Sequence, residues 1–234
     1  MDFKQQVVFV TGASRGLGLA LARAARERGA KVYAGVRLTG DFREPGIVPV
    51  QLDVRDDDSV RRAAAACPDV TMVVNNAGTA RLSQGALDPD VSALTNELMD
   101  TNYHGLVRVS QAFAPTLARN GGGAIVNVLS DATWFGVTFL AAYAATKSAA
   151  WSYTNTLRVS LRGQGTRVVA LHVGPMDTDL TREFDVPKSD PAQVAATTLD
   201  AVAAGAEEVL ADAGTQALRA GLGAPDAVFL RGGY

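Results

Sequence analysis

The segment Val7-Val8-Phe9-Val10-Thr11-Gly12-Ala13-Ser14-Arg15-Gly16-Leu17-Gly18 decides how the rest of this chain is read. Four apolar residues in a row predict a strand buried on both faces, the kind found in parallel sheets. A glycine-rich turn ends the run. Leu19 to Arg28 then reads as a helix of strong helix formers, with Gly29 as its stop. Strand, glycine turn and helix in that order aim a helix N-terminus, with its unpaired N–H groups and positive dipole end, at a site for a phosphate. Glycine suits such a turn because it reaches φ > 0 cheaply and, lacking a Cβ, lets a pyrophosphate approach the backbone. The spacing Gly12-x-x-x-Gly16-x-Gly18 is not the tighter Gly-x-Gly-x-x-Gly. No Gly-Lys-Ser/Thr follows, so it is not a nucleoside-triphosphatase loop.

Outward from this segment, strand and helix patterns alternate. Lys31–Val36, Ile47–Leu52, Val70–Val74, Ala124–Leu129, Arg167–Val173 and Glu208–Leu210 predict six further strands. Helices are predicted from a cap at Asp58 or Ser59 to Ala66, from Val91 to Phe113 and on towards Arg119, from Ala141 to about Arg162, and from Pro191. No repeat, low-complexity linker or boundary interrupts the pattern, so residues 1–234 are expected to form one α/β domain, a parallel sheet with helices on both faces. Ligands of such sheets sit beyond the C-terminal strand ends, where strand order reverses.

Composition narrows the function. With 47% hydrophobic and 20% charged residues the chain can build a large core, and a net charge of −2 gives no nucleic-acid footprint. No apolar run reaches membrane-span length. Met1-Asp2-Phe3-Lys4 leads straight into the first strand, so no secretory leader is expected, and a single cysteine, Cys67, allows no internal disulfide. These features predict a cytoplasmic protein without a nucleic-acid or membrane partner. His104 and His172 have no partners at metal spacing and read as structural.

Chemistry concentrates at one constellation. Ser130 ends the fifth strand, Tyr143 lies thirteen positions later, and Lys147 four beyond that, one helical turn away on the same face. A phenol near pKa 10 is a poor acid or base at neutral pH, and a nearby ammonium lowers that value by stabilising the phenolate. Ser130 can then hold a carbonyl oxygen while Tyr143 donates the proton.

Together these residues resemble the short-chain dehydrogenase/reductase family, over nearly the whole chain. Thr11-Gly12-x-x-x-Gly16-x-Gly18, Asn75-Asn76-Ala77-Gly78, Asn102, Ser130 and Tyr143-x-x-x-Lys147 match in order and spacing. The resemblance implies one Rossmann-type doubly wound sheet of order 3-2-1-4-5-6-7, and hydride transfer between a nicotinamide and a carbonyl or alcohol carbon. It implies a catalytic set of Asn102, Ser130, Tyr143 and Lys147, with Asn102 holding a water that links Lys147 to solvent. It further implies that Gly12, Ser14, Arg15, Gly16, Leu17, Gly18, Arg37, Asp53, Val54, Asn76, Ala77, Gly78, Val173 and Thr178, with Tyr143 and Lys147, bind the cofactor. Within that set Asp53 and Val54 read the adenine edge.

Val36 occupies the position where NAD-preferring members carry an acid, and Arg37 follows it. An acid repels a 2′-phosphate, whereas arginine pairs with it, and Arg15 can approach from the glycine turn. NADP(H) is therefore the expected cofactor. Trp134, Phe135 and Phe139, between Ser130 and Tyr143, suggest an apolar carbonyl substrate, with Trp134 and Phe139 as the candidate contacts, although aromatics there can equally be core or interface packing. After the sixth strand the family's Pro-Gly is replaced by Val173-Gly174-Pro175, with Gly174 and Thr178 in place. The segment from Asp179 to Ser189 is expected to form a short charged lid. Glu207 to Asp212 does not resemble the family's glycine-rich tetramer tail, so a tetramer is not expected; a homodimer through the long helices is one expectation and a monomer the other. The expected function is an NADPH-dependent carbonyl reductase acting on a small-molecule carbonyl or alcohol. A dinucleotide-binding redox sensor or scaffold is the alternative.

Overall fold

A computed structural model describes residues 1–178, 181 and 185–231. Seven strands form one sheet in the order β3-β2-β1-β4-β5-β6-β7, every pairing parallel. They are β1 (Val7–Thr11), β2 (Lys31–Val36), β3 (Ile47–Gln51), β4 (Met72–Asn75), β5 (Gly123–Val128), β6 (Thr166–His172) and β7 (Glu208–Leu210). This is the Rossmann-type order, and its reversal point lies between β1 and β4.

Alternation along the central strands sorts the core into two layers. Val8 and Val10 of β1, Met72 and Val74 of β4, and Val169 and Leu171 of β6 point to one face, under α1 (Gly16–Glu27) and α6 (Pro191–Ala203). Phe9, Val73, Ile125 and Val168 point to the other. There they meet α2 (Asp57–Ala66), α4 (Leu106–Arg119) and α5 (Ala141–Leu161). Phe9 and Phe113 of α4 meet with ring centroids 4.6 Å apart, both fully buried. Each such ring contributes about 1.5–3 kcal/mol of transfer free energy.

Two local readings are corrected. Neither Asp58 nor Ser59 caps α2: the Asp56 carboxylate accepts from Asp58 N, and Ser59 Oγ is turned back to accept from Asp53 N. The extended backbone at Asp56 lets its side chain reach the first free N–H groups, which Asp58 and Ser59 inside the helix cannot do. The long helix expected from Val91 is in fact α3 (Val91–Met99), a π turn (Asp100–Gly105) and then α4, which continues through Pro115 to Arg119. Wider turns of this kind favour functional positions, and Asn102 lies inside this one. Last among the helices used below is α7 (Ala213–Gly221).

Candidate functional site

Beyond the C-terminal ends of β1 and β4 runs a cleft of about 1010 Å³, at the upper end of small-molecule sites. At one end stands the glycine turn. Gly12 has φ +64°, and a Cβ there would lie 2.9 Å from Ala77 Cα. At Gly18 a Cβ would lie 2.4 Å from both Gly12 O and Asn76 Nδ2. The close approach therefore demands glycine at both positions. Asn76 clamps the turn by donating from Nδ2 to Thr11 O at 3.0 Å and to Gly12 O at 3.2 Å. Thr11 Oγ1 accepts from the N–H groups of Asn76 and Ala77, which locks the end of β1 to the end of β4. Among the described residues no side-chain cap is seen at the N-cap of α1, and its first residues Gly16, Leu17 and Gly18 line the cleft.

Arg15, Val36, Arg37, Asp53, Val54 and Arg55 line the cleft at the ends of β1, β2 and β3. No acid follows β2, and Arg37 is exposed. Asp53 is engaged by a residue the sequence reading passed over: its carboxylate accepts from Arg55 Nη2 at 2.7 Å and from Arg55 Nε at 3.1 Å. That guanidinium, with the more distant Arg37, holds the Asp53 carboxyl below the ordinary carboxylate range against its partial burial.

At the other end the cleft is lined by Ser130, Tyr143 and Lys147. β5 ends at Val128, and its continuation presents Ser130, while α5 carries Tyr143 and Lys147 on one face. Lys147 is buried, its Nζ 5.6 Å from the centre of the Tyr143 ring and donating to Val128 O at 2.9 Å. Burial alone brings the ammonium down to about 8, so it remains charged at neutral pH. For Tyr143 the direction is the opposite of the one expected from the ammonium alone. Burial raises the phenol above its ordinary value, a hydrogen bond with Ser130 opposes the rise, and the Asp131 carboxylate adds to it. A phenolate in low dielectric beside a carboxylate is the physical reason. Tyr143 keeps some exposure at the cleft wall, and water there tempers the rise.

Of the expected site residues, Gly12, Ser14, Arg15, Gly16, Leu17, Gly18, Arg37, Asp53, Val54, Asn76, Ala77, Gly78, Ser130, Phe139, Tyr143, Lys147, Val173 and Thr178 line this one cleft. Asn102 stands behind it. Its Oδ1 accepts from Thr79 N, and its Nδ2 donates to Thr79 O at 2.8 Å and to Thr146 Oγ1 at 3.0 Å, which ties the loop after β4 to α5. Trp134 is a correction. It is buried outside the cleft lining, stacked on His172 at 4.0 Å between ring centres, with Arg219 of α7 over its ring. The chain turns inward directly after Ser130, so Trp134 joins the core at β6 while Phe139, five residues on, stays 42% exposed at the cleft. Sequence reasoning missed Asp131, Val137, Leu140, Met176 and the mouth ion pair of Arg81 with Glu97 at 3.0 Å, all in the lining. Asp131 was the one with a signal, a carboxylate directly after the strand-end serine.

The expected lid falls partly outside the described residues, at 179, 180 and 182–184. Its base is a short ladder in which Asp177 N donates to Ser189 O and Ser189 N to Pro175 O, both at 2.9 Å. Thr181, Asp185 and Val186 face the cleft. Among the described residues no helix is long and apolar enough to cross a membrane.

Parallel sheet order, glycine-turn cradle and the serine, tyrosine and lysine around one cleft define a Rossmann-type oxidoreductase. The chain belongs to the short-chain dehydrogenase family, whose model matches residues 6–188. A solved short-chain dehydrogenase from Burkholderia cenocepacia in complex with NADP superposes with a TM-score of 0.92 at 36% identity, covering 99% of this chain and 98% of that one. The NADPH-dependent 1-acyldihydroxyacetone phosphate reductase of Schizosaccharomyces pombe is 35% identical over 185 residues, which is 75% of this chain but only 62% of that relative. The D-erythrulose reductase of Gallus gallus is 33% identical over 202 residues, covering 84% of this chain and 80% of the relative.

Proposed function

We propose that this protein is an NADPH-dependent carbonyl reductase, with alcohol oxidation as its reverse reaction. One observation carries the reading: one cleft joins the glycine cradle, Arg15 and Arg37 at one end to Ser130, Tyr143 and Lys147 at the other. The cradle suits a dinucleotide because a Cβ at Gly12 or Gly18 would collide with its own walls, and because the start of α1 is left uncapped. Arg15 and Arg37 pair with a 2′-phosphate, a preference supported by the NADP complex of the Burkholderia protein and by the NADPH dependence of the yeast relative. Bound NADPH supplies the hydride.

Tyr143 donates the proton to the nascent alkoxide, and its raised pKa keeps it in the acid form needed for reduction at neutral pH. Lys147 contributes the compensating positive charge and a hydrogen bond to the ribose. Ser130 orients the carbonyl oxygen. Asn102 is fixed behind the cleft by its side-chain bonds to Thr79 and Thr146, and would hold the water that links Lys147 to solvent. Phe139 receives an apolar part of the substrate. The test follows NADPH and NADH absorbance separately against a panel of ketones, aldehydes and quinones. Carbonyl-dependent oxidation of NADPH in preference to NADH is expected. If neither cofactor is oxidised although both bind, the protein is a dinucleotide-binding sensor instead.

A further inference from the structure

The Ser130 hydroxyl has one proton, and it is already committed. Ser130 Oγ donates to Asp131 Oδ1 at 2.9 Å, because an ionised carboxylate has no proton to give in return. Ala132 N donates to the same Oγ at 3.2 Å. In that state Ser130 has nothing to donate to a carbonyl oxygen.

Asp131 cannot simply swing aside. It is 6% exposed, its N–H is fixed to Val173 O at 3.2 Å, and its Oδ1 also accepts from Ala132 N at 2.7 Å. Its Oδ2 is turned towards Gly174 and lies 3.3 Å from where a Cβ would stand there. When a carbonyl group draws the Ser130 proton to itself, Asp131 Oδ1 keeps the Ala132 N–H but loses a charge-assisted bond, a costly loss for a buried carboxylate unless another donor replaces it. Ser130 and Asp131 line the same stretch of the cleft, so a hydroxyl on the carbon next to a carbonyl held by Ser130 would be placed to take over Oδ1 as Ser130 turns away.

We infer that Asp131 is a specificity-determining residue that selects carbonyl substrates carrying a hydroxyl on the adjacent carbon, α-hydroxy ketones and α-hydroxy aldehydes with an apolar remainder. The remainder lies against Val137, Phe139, Leu140, Met176 and Val186, which line the same end of the cleft. This deepens the reductase reading and rests on it.

Three matched ketones separate the possibilities: α-hydroxyacetophenone, α-methoxyacetophenone and acetophenone. The methoxy compound keeps the electron withdrawal of the oxygen and lacks the donor. Wild-type protein with NADPH is expected to favour the hydroxy ketone over both others by about ten- to a hundredfold in kcat/KM, the worth of one hydrogen bond to a charged group. Asp131→Leu should erase that preference, so that the hydroxy and methoxy ketones are reduced with similar kcat/KM whatever the variant's overall rate. Asp131→Asn, which keeps the shape and an acceptor without the charge, should fall between and serves if the leucine variant does not fold. Equal turnover of the hydroxy and methoxy ketones by wild type, or a preference surviving in Asp131→Leu, overturns the inference and leaves the reductase standing. A wild type that binds NADPH and reduces none of the three, nor any other carbonyl, brings down both.

Discussion

The two ends of the cleft are built from different materials. At the dinucleotide end the contacts are backbone: a glycine turn at φ +64°, the open N-terminus of α1, and an Asn76 amide spent on main-chain carbonyls. At the reaction end they are side chains from separate elements, Ser130 after β5 and Tyr143 and Lys147 on α5, with Asp131 tuning them. A backbone site tolerates no added atoms and holds its shape without side-chain chemistry. A side-chain site can lose one functional group and keep its shape. That contrast predicts which property each substitution removes.

The largest effect belongs to the reaction end. Tyr143→Phe should lower kcat by about 10²- to 10⁴-fold, the range of general-acid catalysis. NADPH affinity, followed by fluorescence titration, should stay near the wild-type value. A variant that loses affinity in step with turnover would mean that the ring holds the cofactor and that the division between the ends is wrong. Gly18→Ala should give the opposite pattern. Its methyl must displace Gly12 O or Asn76 Nδ2 from 2.4 Å, at a cost of about 1–3 kcal/mol in stability, with NADPH binding weakened by about tenfold or more. Normal affinity and an unchanged unfolding midpoint would show that the turn yields, against the geometry.

Arg37→Glu sharpens the comparison within the dinucleotide end, since it changes charge and leaves the cradle alone. The ratio of NADPH to NADH affinity should fall by about ten- to a hundredfold, the weight of a charge-assisted contact exchanged for a repulsive one. Equal loss for both cofactors would remove Arg37 from 2′-phosphate recognition and leave the preference to Arg15 or Arg55.

Legibility in the sequence follows the same division. The strands and the glycine cradle could be read because they depend on local signals, an apolar run such as Val7 to Val10 and glycines at fixed spacing, whereas the strand order came only with the family resemblance. The proposed catalytic trio was legible because Tyr143 and Lys147 share one helix face, a relation within a single element. What escaped depends on three-dimensional direction. Trp134 and Phe139 have similar character and lie five residues apart, yet one packs on His172 and the other faces the cleft. The direction of the Tyr143 shift also escaped, because spacing gives the distance to a charge and says nothing of desolvation. The π turn around Asn102 was invisible because helix propensity does not register one extra residue in a turn.

The pH dependence of reduction probes the side-chain end without a mutation. Lys147 is cationic below about 8 and neutral above it. For the free enzyme kcat/KM should therefore be level towards neutral pH and fall as pH rises through about 8, approaching tenfold per unit. The sign follows because the charge that supports proton transfer is lost on deprotonation. Lys147→Arg, charged throughout this range, should flatten that limb even where its rate is lower. A limb of the same midpoint in the arginine variant would assign the titration to another group.

The smallest effect tests the boundary between site and core. Trp134 is buried, its Nε1 has no hydrogen-bond partner among the described residues, and its ring stacks on a His172 that burial pushes down to about 4 and so keeps neutral. Trp134→Phe keeps an aromatic face on the imidazole and deletes an N–H that is unpaired. The lost volume should cost about 1 kcal/mol, a fall of about 2–4 °C in the unfolding midpoint. The KM for a ketone should change little, because the residue is not in the cleft lining. A tenfold rise in KM at unchanged stability would return Trp134 to the substrate wall, and with it an aromatic-walled pocket in place of one edged by Phe139 and Asp131.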